Sequence, residues 1–92
     1  MEFTVYCHEI ISGSDVGMHF SATLEQSKAE VGEYREALRQ IDPTGDPLGA
    51  LGIYEFVLQM PDVAMMIDIL NSPESLLQTC LIRRQLVAFT VD

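Results

Sequence analysis

Ninety-two residues at 10.3 kDa are enough for one small domain and too few for two. Fourteen acidic residues against five basic ones leave a net charge of −9 and a pI near 4.4. That balance excludes a direct nucleic-acid binder, which neutralises phosphates with Lys and Arg, and 48% apolar residues exclude a disordered polar chain.

The chain opens with an alternating run from Glu2 to Ile11. Phe3, Val5, Cys7 and Ile11 fall on one side, and Thr4, Tyr6, His8 and Ile10 on the other, the period of a half-buried strand. No basic or long apolar segment of a secretory signal is present there, so a cytoplasmic location is expected. Ser12-Gly13-Ser14-Asp15 suits a hairpin turn, and Val16, Met18 and Phe20 resume the alternation. The implied register sets Ile11 against Val16, Cys7 against Phe20 and His8 against His19, with Glu9 opposite Met18 as the one misfit.

Thr23-Leu24-Glu25-Gln26 has capping-box spacing, which predicts a helix start. Leu24, Val31, Tyr34, Leu38 and Ile41 then recur on one helical face until Asp42-Pro43 ends the element. Two prolines and three glycines make Asp42 to Gly52 an irregular connection. Ile53 to Met60 alternates as a third strand, closed by Pro61.

Asp62 caps a short helix with Val63, Met66, Ile67 and Leu70 as its apolar stripe, and Asn71 as its stop. Ser72-Pro73-Glu74 starts a second short helix whose apolar side is Leu76, Leu77 and Cys80. Leu86 to Val91 alternates as a fourth strand. The expected fold is therefore α+β, a single domain over residues 1–92: a four-stranded, mainly antiparallel sheet with one long and two short helices on one face. Its expected core is Phe3, Val5, Leu24, Val31, Leu38, Phe56, Leu58, Ile67, Leu70, Leu77 and Phe89.

No stretch supplies the roughly 20 apolar residues of a membrane helix. Cys7 and Cys80 lie in apolar runs and read as buried thiols rather than a disulfide. Chemical motifs are few. His8 opposite His19 is a potential metal grip, but Thr4 and Tyr6 are the same-face neighbours and Glu9 points away, so a third ligand is missing and no metal is expected. Gly45, Gly49 and Gly52 lack the Lys and Ser/Thr of a phosphate loop. Cys7-His8-Glu9 contains catalytic residue types, yet alternation sends nucleophile and base to opposite faces. Met65 and Met66 read as core fillers. No catalytic residue and no cofactor are expected.

Charge carries the most functional information. Between Arg39 and Arg83 there is no basic residue, while Asp42, Asp46, Glu55, Asp62, Asp68 and Glu74 all lie there. The long helix adds Glu25, Glu30, Glu33 and Glu36. Glu25, Glu30, Glu33, Glu36, Asp42 and Asp46 are thus the expected contact residues for a basic protein surface, with solubility as the plain alternative role. In size and charge alone the chain is like small phage-type inhibitors of the anti-CRISPR or anti-restriction kind, which implies a non-enzymatic protein that blocks a nucleic-acid-binding surface of its target. The rival expectation is a small-ligand or metal-binding regulatory domain, or an enzyme, built on the His8/His19 pair. A sheet face left bare by the helices, with Tyr6, Ile10, Ile53, Val57, Leu86 and Ala88, predicts a homodimer.

Overall fold

The computed structural model describes residues 1–13, 17–45 and 49–90. Val16, the Ser14-Asp15 part of the hairpin turn, Asp46 and Val91 lie outside them. The elements run β1 (Glu2–His8), β2 (His19–Ser21), α1 (Leu24–Ile41), β3 (Leu51–Gln59), α2 (Val63–Asn71), a 3-10 turn (Pro73–Ser75), α3 (Leu76–Cys80) and β4 (Leu81–Thr90). This is an α+β fold with one four-stranded sheet in the order β2-β1-β3-β4, every neighbouring pair antiparallel. Cys7 pairs with Phe20 and His8 with His19, the expected register.

Local chemistry sets the helix starts. Thr23 accepts a hydrogen bond from the Gln26 amide at 3.1 Å, and the Gln26 side chain returns to accept from the Ala22 amide at 3.3 Å. Asp62 accepts from the Met65 amide at 2.9 Å. Strand ends differ more from expectation. β1 stops at His8 rather than Ile11, and β4 begins at Leu81 rather than Leu86.

The helices divide between the two sheet faces rather than gathering on one. Because β1 lies between β2 and β3, α1 crosses over β1 and covers the face of Tyr6, His8, Ile53 and Val57. Ser27 of α1 is hydrogen-bonded to Ser21, and Arg35 reaches Thr90. The opposite face, with Val5, Cys7, Tyr54, Phe56 and Leu58, packs on Met65 and Ile69 of α2 and Leu77 and Cys80 of α3. Both faces of β3, one of the two inner strands, are therefore buried: Leu51, Ile53, Phe56, Val57 and Leu58 all belong to the core.

Several expected core positions are outside it. Val31, Phe56 and Leu58 are buried, and Val5, Leu24, Leu38 and Leu77 are half-buried, but Phe3, Ile67, Leu70 and Phe89 are exposed. In α2 the expected stripe of Val63, Met66, Ile67 and Leu70 faces outward, and Ile69 is the buried contact. A nine-residue helix that is apolar on most sides has no periodic contrast to say which side packs. In β4 the register shifts opposite Ile53/Tyr54 and Val57/Leu58, so Ala88 pairs with Ile53 while Leu86 pairs with Tyr54. The bulge at Val87 puts Leu86 and Ala88 on opposite faces, which strict alternation cannot anticipate.

Candidate functional site

The expected dimer face does not exist as a bare surface. Ile53 is fully buried and Val57 only 9% exposed beneath α1, Tyr6, Ile10 and Ala88 are half-buried, and Leu86 projects to the other side. The helix α1 packs on β1, β2 and β3, and Ile53 and Val57 are buried in the fold rather than presented to a second copy.

The α1 acids separate into two groups. Ser27, Val31 and Arg35 form the buried stripe of the helix, which leaves Glu25, Glu33 and Glu36 exposed on its outer side. Asp42 is exposed beyond the helix end, where its backbone amide caps Leu38. Glu30 turns the other way, toward the sheet, and leaves the acidic surface. Asp46 lies outside the described residues.

Cations are mostly used within the molecule. Arg35 is buried, and its Nη2 donates to the carbonyls of Gly49 at 2.7 Å and Thr90 at 2.6 Å, fastening α1 to the start of β3 and the end of β4. Arg83 reaches Glu55 at 3.4 Å, Arg39 pairs with Glu36 at 3.2 Å, and Arg84 lies over the Tyr54 ring at 4.3 Å. Lys28 is exposed on α1. Arg39, Arg83 and Arg84 are exposed as well, but the acids outnumber the cations: Glu25, Glu33 and Asp42 are exposed on α1 and just beyond it, Asp68 and Glu74 on α2 and the 3-10 turn. Glu55 also accepts from the Tyr6 hydroxyl at 3.0 Å. That bond, with desolvation and the nearby charges of Glu55 and Glu25, holds the Tyr6 phenol above its ordinary pKa.

Glu30 brings a third group to the histidine pair. The rings of His8 and His19 are 5.5 Å apart, and Glu30 Oε2 lies 3.3 Å from His19 Nε2 and 3.9 Å from His8 Nε2. The His8 side chain is 5% exposed, and its Nδ1–H donates to the Glu9 carbonyl at 3.0 Å, so Nε2 is the nitrogen left facing Glu30. Glu30 Oε1 accepts from Gln26 Nε2 at 3.1 Å, whereas the enclosed Oε2 receives no hydrogen bond. The sequence hid this neighbour, because Glu30 is one of several helical acids and nothing local marks it as the inward one. The cluster ties α1 to β1 and β2. Among the described residues, no group of three His, Cys, Asp or Glu side chains could hold a metal ion.

The misfit at Glu9 and the glycine at Gly52 explain each other. Glu9 is buried, its amide donates to the Gly52 carbonyl at 3.0 Å, and its Oε1 accepts from the Gly52 amide at 2.5 Å. A Cβ at Gly52 would sit 2.7 Å from that oxygen. This glycine makes room for a carboxylate of the chain itself. Cys7 and Cys80 are buried thiols of the core on the α2/α3 side, not joined in a disulfide, with His8 on the opposite sheet face from Cys7.

On the α2/α3 side the sheet is only partly covered. α3 has five residues and lies mainly over β3 and β4; Cys7 of β1 is buried with it, while Phe3 and Phe20 stay exposed. There a cleft of about 450 Å³ is lined by Phe3, Val5, Phe20, Leu58, Leu76 and Leu77, with Glu74 at its edge. A second cleft of about 490 Å³ continues past Phe20 and Leu77 to Arg84. No helix among the described residues is long and apolar enough to cross a membrane. No protein-family model matches the chain, and no curated protein or solved structure does either.

Proposed function

We propose that this protein is a non-enzymatic binding module that docks on a basic surface of another protein and keeps nucleic acid from it. The sorting of charge carries this reading. Of the five cations Arg35 is buried, and Arg39, Arg83 and Arg84, though exposed, contact groups of their own chain, against the exposed acids Glu25, Glu33, Asp42, Asp68 and Glu74. A field of one sign accelerates encounter with an oppositely charged surface and selects against partners of its own sign. Phosphate-like spacing of carboxylates is not required for this, since steering depends on the summed potential. The likeness to small phage-type inhibitors remains one of size and charge.

Pull-down from a lysate of the source organism, at rising ionic strength and with duplex DNA as competitor, tests the proposal. A single basic protein should be retained, then released both by salt and by DNA. Retention that neither agent reduces would remove the proposal.

A further inference from the structure

The two sheet faces are covered unequally. Eighteen residues of α1 span β1, β2 and β3 on one side, whereas on the other α2 and the five-residue α3 bury Cys7 of β1 but leave Phe3 and Phe20 exposed. Over the β1/β2 half lies a trough floored by Val5, Phe56 and Leu58, with Phe20 on one wall and Leu76 and Leu77 on the other. Phe20 is 44% exposed and Leu76 45%, and both would gain from being covered.

We infer that this trough seats one amphipathic helix of the basic partner, apolar face down. The inference rests on the basic-partner reading above and names the surface that performs it. Three observations choose the occupant. The trough lies between strands β1, β2 and β3 and the segment Pro73–Cys80, and a helix about 10 Å across suits a setting between sheet and helix. Strand addition is a poorer match, since the neighbouring edge strand β2 has three residues. Charge then selects among helices. Glu74 stands at one end of the trough in a molecule of net charge −9, which favours Lys and Arg on the flanks of the incoming helix and opposes a second copy of this chain. Arg84 at the other end, laid over Tyr54 and Phe56, favours an acidic side chain or the negative C-terminal end of the helix, which gives the occupant a direction.

The test uses a synthetic helical peptide of about 18 residues with a Leu stripe at i, i+3, i+4 and i+7 and Lys elsewhere. One control peptide has the same composition with the stripe scrambled, and another replaces Lys by Glu. Binding is followed by fluorescence anisotropy, and the contact surface by amide shifts in isotope-labelled wild-type protein. The striped Lys peptide should shift Val5, Phe20, Leu58 and Leu77. Affinity should fall by about tenfold or more for the scrambled peptide and for Phe20→Ser or Leu76→Ser, each checked for unchanged circular dichroism. Shifts confined to Glu25, Glu33 and Glu36, with Leu76→Ser binding normally, would overturn the trough while leaving the basic-partner reading intact. Equal binding of the Glu peptide would refute the basic occupant and that reading together. Self-association that shifts the trough amides would replace the partner helix by a second copy, and failure of both striped peptides to bind would overturn the inference outright.

Discussion

Alanine at Gly52 should destabilise the fold through one atom pair, and removing Glu9 should relieve most of that cost. The Gly52 backbone is outside the left-handed region, so alanine brings no dihedral strain; its Cβ alone meets Glu9 Oε1 at 2.7 Å and Leu86 Cδ1 at 3.2 Å. Expelling the carboxylate forfeits its hydrogen bond to the Gly52 amide, a charged acceptor worth about 1.5–3 kcal/mol in a buried setting. The shift of Leu86 adds about 0.5–1 kcal/mol as mild overpacking. Gly52→Ala should thus cost about 2–4 kcal/mol, and Glu9→Ala about 1.5–3 kcal/mol because the same amide loses its acceptor. The hydrogen bond is counted in both single variants but can be lost only once. The double variant should therefore be less destabilised than the sum by about 1.5–3 kcal/mol, read from urea denaturation with unchanged slopes. Additivity within about 0.5 kcal/mol would refute the claim that the glycine exists to admit this carboxylate.

Phe56→Ala should lower stability by about 3–5 kcal/mol in urea titration, since its ring is buried in the core between Phe20 and Arg84; an unchanged midpoint would displace it from that position. Arg35→Met should cost about 2–4 kcal/mol, because it leaves the Gly49 and Thr90 carbonyls without their donor, and hydrogen exchange should quicken at the end of β4 before elsewhere. The Tyr6 phenol, raised by its bond to Glu55, should contribute stability in full below its unfolded value of 10.0 and lose it as pH rises through the folded value. Tyr6→Phe should abolish that alkaline loss, measured as the pH dependence of the urea midpoint. Cys7 and Cys80 should react with a thiol reagent only as fast as the protein opens, because both are buried; prompt modification of either would contradict its place in the core.

Element types were legible in the sequence because each depends on near neighbours. Alternation at Phe3, Val5 and Cys7 requires only a pleat, and Thr23 with Gln26 caps a helix start without reference to the rest of the chain. The hairpin register of His8 against His19 followed from the same local pattern, and the charge excess from counting. Tertiary structure decided what these elements face. The β2-β1-β3-β4 order makes α1 cross over β1, and Ile53 and Val57 of the surface that alternation offered for a dimer are interior. The bulge at Val87 reverses Leu86 relative to Ala88, because one extra residue inverts a period of two. Glu30 joins His8 and His19, and Glu9 meets Gly52, through contacts between residues more than ten positions apart that no local pattern encodes. The open trough is likewise set by how far five residues of α3 can reach across the sheet, a length that acquires meaning only once the strands beneath it are in order.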